Sequence, residues 1–143
     1  MFSTGKDDWE TPQDFFDKLN DEFHFTLDPC CTLENAKCPK YYTPEDDGLS
    51  KDWQGETVFC NPPYSKKSKD SPGQEAWIKK CYEEGQKPNT TVVMLLPSRT
   101  DTIAFHTYIY HKAEIRFIKG RLKFGGSKDA APFPSMVIIY KNT

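Results

Sequence analysis

The feature that most constrains the fold of this chain is the apolar run at residues 91–96. A strand in the middle of a parallel sheet is buried on both faces, and it needs a continuous run of this kind. Shorter strand candidates lie at residues 23–27, 41–43, 57–60, 115–118 and 136–140. Helical spacing of apolar residues occurs at residues 13–19, 75–84 and 101–111. Strands that alternate with helices predict an α/β sheet, which binds ligands at the carboxyl ends of its strands.

The first predicted helix has a defined start. Thr11 suits the N-cap position and Pro12 the first helical position, where a missing N–H costs nothing. Phe15, Phe16 and Leu19 then share one apolar face. We expect this helix to end near residue 20.

Length and charge limit the possible functions. The 143 residues predict one domain, with room for one sheet and its covering helices. A net charge of -2 gives no global positive field, so contact with nucleic acid has to come from local basic patches. No apolar run reaches the roughly 18 residues of a membrane span, and residues 1–8 lack the apolar segment of a signal peptide. We therefore expect a cytoplasmic protein without a membrane segment.

The chain contains five cysteines. An odd number without a secretory signal predicts reduced thiols rather than a disulfide framework. The alternative is a metal site built from Cys30, Cys31 and Cys38, with His24 as a further ligand. Adjacent cysteines rarely bind the same ion, and no Cys-x2-Cys pair is present. The sequence therefore favours no metal.

A quartet with unusual chemistry, Asn61-Pro62-Pro63-Tyr64, follows the strand candidate at residues 57–60. The Asn61 side-chain oxygen and the Pro62 carbonyl can each accept one hydrogen from a planar exocyclic amine. The two prolines stiffen the turn, and Tyr64 can stack on the ring that carries the amine. The alternative is a turn-capping asparagine followed by a partly buried ring.

The quartet resembles the catalytic motif of S-adenosylmethionine-dependent amino-methyltransferases that act on adenine N6 or cytosine N4 of DNA. Six other motifs agree with it: Trp9-Glu10-Thr11-Pro12, Leu27-Asp28-Pro29-Cys30, Asp46-Asp47-Gly48-Leu49, Asp52-Trp53, Leu96-Pro97-Ser98-Arg99 and Ala131-Pro132-Phe133-Pro134-Ser135. Together they resemble the compact Dam-type DNA N6-adenine methyltransferases of bacteriophages and prophages, from about Trp9 to Tyr140.

The resemblance implies a single-domain, Rossmann-like α/β methyltransferase over residues 1–143, with a mostly parallel sheet and an antiparallel strand near the C-terminus. It implies methyl transfer from S-adenosylmethionine to adenine N6 in DNA, in a bacterial cytoplasm. The target base would flip out of the duplex into a pocket built by Asn61, Pro62, Pro63 and Tyr64. Three alternatives stay open: cytosine N4 methylation, RNA adenine methylation, and a DNA-binding module that keeps the fold without turnover. The oligomeric state is also open.

The resemblance further implies a cofactor site around one crevice. Asp28 is expected near the methionine end of S-adenosylmethionine, although the glycines that usually follow such an acid are absent here. One of the acids at residues 45–47 would accept from the ribose hydroxyls, and Asp52 from the adenine amine. An N-terminal element would fold over the cofactor. The implied cofactor-binding residues are Trp9, Thr11, Pro12, Asp28, Pro29, Cys30, Asp46, Asp47, Asp52 and Trp53.

Basic residues in the loops after the strands are the candidates for DNA phosphate contacts. They are Lys66, Lys67, Lys69, Arg99, Arg121 and Lys123. Target selection is expected in the segments 65–74 and 119–135, which mix basic residues with glycine or proline. The alternative for each lysine is an ordinary solvated side chain.

Overall fold

The computed structural model describes residues 10–65, 67–69, 71–126 and 129–142. Within them the strands are β1 (Leu27–Asp28), β2 (Lys40–Tyr41), β3 (Thr57–Cys60), β4 (Thr90–Pro97), β5 (Glu114–Phe117) and β6 (Ser135–Asn142). The helices are α1 (Gln13–Phe23) and α2 (Gly73–Gly85). Shorter helical turns lie at Gly48–Ser50, Phe105–Ile109 and Phe124–Gly126.

All these strands form one sheet, in the order β2-β1-β3-β4-β6-β5. β1 pairs in parallel with both β2 and β3, and β3 pairs in parallel with β4. β6 is antiparallel to its neighbours β4 and β5. The predicted fold class, a mostly parallel Rossmann-like α/β sheet with an antiparallel strand near the C-terminus, is confirmed.

β4 lies in the middle of the sheet and is buried along its whole length. Val92 and Met94 face a core that contains Trp77 of α2. Val93 and Leu95 face a second core, which contains Phe16 of α1 and other aromatic rings. Because a central strand needs apolar side chains on both faces, the continuous run predicted its position correctly.

The first helix and strand differ from their predicted bounds. α1 continues to Phe23, three residues beyond the expected end, and His24 then reverses the chain in a left-handed conformation. The Asn20 side-chain oxygen accepts from the Phe25 N–H at 2.8 Å and stabilises this reversal. β1 therefore contains only Leu27 and Asp28 rather than residues 23–27. The helix predicted at 101–111 is also shorter in the structure. Its main helical segment is the π-type turn Phe105–Ile109.

In the described part of the chain, no helix has both the length and the apolar character needed to cross a membrane.

Candidate active site

The strand order creates a crevice between β1 and β3. The chain leaves β1 toward β2 on one side and returns to β3 on the other side, so these two neighbouring strands form a topological switch point. Ligands of open α/β sheets bind at such a point, outside the carboxyl ends of the strands. Asp28 ends β1, and Asn61 follows the last residue of β3. Both line a cavity of about 30 Å³.

The Asn61 side chain is held by two hydroxyl groups. Its Nδ2 donates to Thr11 Oγ1 at 2.9 Å, and its Oδ1 accepts from the Tyr64 hydroxyl at 2.8 Å. Thr11 is only 3% exposed and directly precedes Pro12 and α1. Because the amide donates on one side and accepts on the other, these contacts determine which way its oxygen points.

Tyr64 is anchored at both ends of its side chain. Its hydroxyl also lies 3.3 Å from the Leu95 carbonyl oxygen, in the central strand β4. The ring packs edge-on against Phe133 and Phe124, with centroids 5.6 and 6.3 Å away. Burial raises the pKa of the Tyr64 hydroxyl above its ordinary value, so it stays a neutral donor at physiological pH. Pro62 and Pro63 lie between Asn61 and Tyr64 in the sequence. Pro62 is buried and Pro63 is half-buried.

Asp28 is the buried carboxyl group of the crevice, with 3% exposure. Burial raises its pKa to about 6, and two backbone hydrogen bonds oppose this rise. The donors are the N–H groups of Lys37, at 3.0 Å, and Cys30, at 3.4 Å. The Asp28 side chain therefore holds the backbone of the loop that follows β1. This loop contains no glycine.

The thiols beside Asp28 are not activated. Cys31 Sγ lies 3.6 Å from the carbonyl oxygens of Asp28 and Tyr42. Burial, followed by the charge of Asp28, raises the pKa of both Cys31 and Cys38 to about 12. Thiols in this state are neutral, whereas a metal ligand has to be a thiolate. Among the described residues, no three His, Cys, Asp or Glu side chains are grouped in a way that could hold a metal ion.

Several predicted cofactor residues meet at this cavity. Thr11, Asp28 and Cys30 line it directly. Pro12 leads from Thr11 into α1, and its carbonyl oxygen accepts from the Phe16 N–H at 3.0 Å. Thr11 does not act as the predicted N-cap of α1, since no side-chain hydrogen bond caps that helix. Trp9 lies outside the described residues.

The acidic turn at 46–47 lies beside the end of β1 but does not line the cavity. Asp46 accepts from the N–H and hydroxyl of Thr43, at 3.0 and 3.1 Å, and these bonds lower its pKa. Asp47 is exposed and adopts a left-handed conformation. The next residue, Gly48, lies against the buried Pro29. The contact is so close that a Cβ atom at position 48 would be 2.2 Å from the Pro29 carbonyl oxygen.

Asp52 and Trp53 do not join the crevice, contrary to the expected arrangement. The exposed Asp52 carboxylate forms an ion pair of 2.9 Å with Lys87, which lies just before the amino end of β4. That is the sheet edge opposite to Asn61. Trp53 is fully buried, its ring lies near that of Trp77, and its indole N–H donates to the Gly48 carbonyl at 3.0 Å. Its environment is that of a core residue.

The candidate phosphate contacts lie in loops at the carboxyl edge of the sheet. Lys67 and Lys69 are exposed in the loop after Tyr64, and Arg99 is exposed after β4. Arg121 and Lys123 are exposed in the segment between β5 and β6. Lys66 lies outside the described residues.

The sequence prediction missed five residues that line the cavity: Glu10, Cys31, Asn35, Lys37 and Phe59. Glu10 belongs to a motif that was recognised, so its position could have been inferred from its neighbour Thr11. Lys37 carries no motif signal, because a lysine in a polar loop is most often solvated. Only the fold of the loop between β1 and β2 brings it to the cavity.

Comparisons with known proteins agree with this geometry. The family model described as DNA N-6-adenine-methyltransferase (Dam) matches residues 2–143. The DNA N-6-adenine-methyltransferase of Haemophilus phage HP1 (strain HP1c1) is 31% identical over 144 residues, which cover 95% of this chain and 79% of the phage protein. The protein of the same name from Escherichia phage T1 is 30% identical over 119 residues, which cover 82% of this chain and 47% of the phage protein. The resemblance predicted from the sequence is confirmed, and the chain belongs to the DNA N-6-adenine-methyltransferase (Dam) family.

Proposed function

We propose that this chain transfers a methyl group from S-adenosylmethionine to adenine N6 in DNA, with the acceptor amine bound at Asn61. Membership of the family supports the reaction class. The observation that carries the proposal is the Asn61 amide at the carboxyl end of β3, oriented by Thr11 and placed in the same cavity as Asp28. We also propose a bacterial cytoplasm as the place of the reaction, because the similar phage proteins are named for DNA methylation.

The acceptor side of the reaction follows from the orientation of Asn61. The lone pair of an exocyclic adenine amine is delocalised into the ring, so the amine is a weak nucleophile. Hydrogen bonds from its two hydrogens to Asn61 Oδ1 and the Pro62 carbonyl favour a pyramidal nitrogen and stabilise the positive charge that develops during attack. The amide cannot act as a base. The proton therefore leaves to water after transfer.

Tyr64 can share or release the Asn61 oxygen when the amine binds, because an amide oxygen has two lone pairs. The Tyr64 hydroxyl now donates to the Asn61 oxygen that the amine would use. The Leu95 carbonyl, at 3.3 Å, is an alternative acceptor for the same hydroxyl. The hydroxyl can therefore exchange partners without being left unpaired, which keeps the cost of exposing Asn61 low. The Tyr64 ring then supplies a stacking surface for the flipped base.

The charged groups on the lining of the crevice also suit the donor molecule. S-adenosylmethionine supplies a methyl group already activated by a sulfonium centre. Its amino-acid part carries an ammonium group, for which the buried Asp28 carboxylate and the neighbouring Glu10 carboxylate are suitable acceptors. The burial of Asp28 strengthens such an interaction, because water competes less for a desolvated carboxylate. The turn at residues 46–47, which precedes Gly48 beside Pro29, is the acidic segment that we assign to a ribose contact.

The proposal is tested by Asn61→Ala in single-turnover transfer of labelled methyl to DNA. Losing one preorganised acceptor raises the barrier by about 2.7 to 4 kcal/mol, so the rate should fall by about 100- to 1,000-fold. Affinity for S-adenosylhomocysteine should stay within a few-fold, because the amide serves the base. Mass spectrometry of the nucleosides from the wild-type reaction identifies the product.

Two outcomes would contradict the proposal. Transfer by Asn61→Ala at a tenth of the wild-type rate or better removes Asn61 from this role. A wild-type product at cytosine N4, or methylation of RNA but not of DNA, assigns the same crevice to a different acceptor.

A further inference from the structure

Lys37 is a largely buried cation at the edge of the cavity. It lies in the loop between β1 and β2, and its side chain is 9% exposed. It lines the cavity together with Thr11, Asp28 and Asn61. Its backbone N–H donates to Asp28 Oδ2, so the same residue that anchors the loop also places an ammonium group at the crevice.

The hydrogen bonds of the Lys37 ammonium are incomplete. Nζ donates to Gln13 Oε1 at 2.9 Å, which is a neutral acceptor. The Glu10 carboxylate lies 3.9 Å away and is half-exposed, which is too far for a hydrogen bond. An ammonium has three hydrogens, and a buried charge is costly unless it is paired and hydrogen-bonded. The Lys37 ammonium therefore has hydrogens left for a further acceptor, such as a ligand group in the cavity.

Another buried lysine shows what a complete set of partners looks like in this protein. Lys80 has a side chain that is 14% exposed, and its ammonium forms a 3.0 Å ion pair with Glu84. It also donates to the Lys51 carbonyl and lies 5.2 Å from the centre of the Trp53 ring. The Lys80 ammonium therefore has a carboxylate within hydrogen-bond distance, whereas among the described residues the Lys37 ammonium has only the amide oxygen of Gln13.

We propose that Lys37 binds the carboxylate of the amino-acid part of S-adenosylmethionine, while the ammonium of that part faces Asp28. This inference rests on the proposed function. The cavity has a carboxylate and an ammonium on its lining, and a zwitterionic amino acid carries the complementary pair. Charge-assisted hydrogen bonds of this kind are among the stronger polar contacts in proteins.

A DNA phosphate is a poorer occupant of this position. The cavity of about 30 Å³ has room for a small group, and Lys37 is nearly buried. A phosphate in a duplex remains attached to a wide, hydrated backbone. The exposed cations Lys67, Lys69 and Arg99 are better placed for it.

The test compares three ligands by calorimetry: S-adenosylhomocysteine, its decarboxylated propylamine analogue, and 5′-methylthioadenosine. The first has both charged groups, the second lacks the carboxylate, and the third lacks both. The variants are Lys37→Met and the control Lys40→Met, which removes a 52% exposed lysine paired with Glu56 at the start of β2. Lys37→Gln replaces Lys37→Met if the apolar variant does not fold.

The wild-type protein and Lys40→Met should bind S-adenosylhomocysteine about tenfold or more tightly than the decarboxylated analogue. Lys37→Met should bind the two ligands equally. Its affinity for the decarboxylated analogue and for 5′-methylthioadenosine should match that of the wild type, because neither ligand has a carboxylate for Lys37.

Other results overturn the inference. An equal loss of affinity for all three ligands means that Lys37 only ties the loop to α1. An unchanged preference for the carboxylate together with weaker DNA binding assigns Lys37 to a phosphate. If the wild-type protein binds all three ligands with equal affinity, the role of Lys37 is overturned and the proposed cofactor is not. If it binds none of the three, the proposed cofactor is overturned as well.

Discussion

The Asn61 amide donates to the Thr11 hydroxyl at 2.9 Å, across 50 residues of sequence. Thr11 lies at the entry to α1 and Asn61 at the exit of β3, so this contact joins the N-terminal segment to the carboxyl edge of the sheet. It also explains why the hydroxyl does not cap the helix. Thr11 therefore acts as a positioning residue for the group that is proposed to hold the acceptor amine.

Thr11→Val should slow methyl transfer by roughly tenfold, because a valine of similar shape removes the hydroxyl that accepts from Asn61 Nδ2 and helps to orient the amide. Thr11→Ser keeps the hydroxyl and should retain most of the rate. Single-turnover transfer measures the effect, and calorimetry with S-adenosylhomocysteine measures cofactor affinity alongside it.

The alternative role for Thr11, a direct cofactor contact, gives a different result. In that case Thr11→Val would weaken binding of S-adenosylhomocysteine, and saturating cofactor would restore the rate. A normal rate in Thr11→Val at all cofactor concentrations would remove both roles.

Tyr64→Phe should retain methylation within a few-fold, since the ring proposed to stack on the base is kept and no hydroxyl competes for the Asn61 oxygen. Tyr64→Ala should lose about 1 to 3 kcal/mol of stacking per flipped base. Fluorescence of 2-aminopurine at the target position, together with the single-turnover rate, distinguishes base flipping from methyl transfer.

A large loss of rate in Tyr64→Phe would show that the hydroxyl takes part in the reaction itself. Its contacts with Asn61 and Leu95 would then be a catalytic arrangement rather than one that is exchanged when the amine binds.

The sheet and its reactive edge could be predicted because their signals are local. β3 begins and ends where its sequence turns polar, and β4 is marked by a run long enough to be buried on both faces. The rule that ligands bind at carboxyl ends then places Asp28 and Asn61 together without any knowledge of side-chain contacts.

The structure places Asp52 and Trp53 away from the crevice, because a place in the order of motifs does not determine a place in the fold. The chain runs from Gly48, at the carboxyl edge, back to the amino end of β3 within a few residues. Asp52 lies on this return path and pairs with Lys87, and Trp53 fills the core beside Trp77. A charge pattern in sequence does not show at which edge of the sheet a loop residue lies.

Contacts between distant segments were beyond prediction for a similar reason. Lys37 reaches the cavity because its loop folds back onto Asp28, and Thr11 reaches Asn61 because α1 packs beside β3. Neither residue type nor spacing carries that information.

Cofactor affinity should depend on pH through Asp28. Burial raises the pKa of Asp28 to about 6. Affinity for S-adenosylhomocysteine should therefore rise as the pH increases through about 6, because only the carboxylate attracts the ligand ammonium, and it should level off above pH 7. Calorimetry between pH 5 and pH 8 measures this profile.

The same group makes the free protein less stable at higher pH. Because the pKa of Asp28 is raised in the folded state, the contribution of Asp28 to stability is present below about pH 4 and is lost as the pH rises through about 6.

Asp28→Asn should flatten the pH profile of cofactor binding at a lower affinity, whereas the exposed Asp52→Asn should leave that profile as in the wild type. A wild-type profile in Asp28→Asn would exclude Asp28 as the ligand's partner.

DNA binding should depend on Lys67 and Lys69, which lie in the loop after Tyr64. Ser68 and Ser71 exchange two backbone hydrogen bonds, and the Gln74 N–H closes the loop on the Ser65 carbonyl at 2.8 Å, which leaves Lys67 and Lys69 exposed. Replacing both by glutamine should lower affinity for all sequences. The slope of log affinity against log salt should fall by about 0.9 for each lost phosphate contact.

Lys141→Gln is the matched control, because this exposed lysine pairs in register with Thr91 at the amino edge of the sheet, away from Asn61. Its salt slope should equal that of the wild type. Arg121→Gln and Lys123→Gln test the other loop, and a methylome of each variant shows whether the target sequence changes with them. If the lysine pair and Lys141→Gln give the same slope, the phosphates are not bound by this loop, and specificity has to be sought in the segment between β5 and β6.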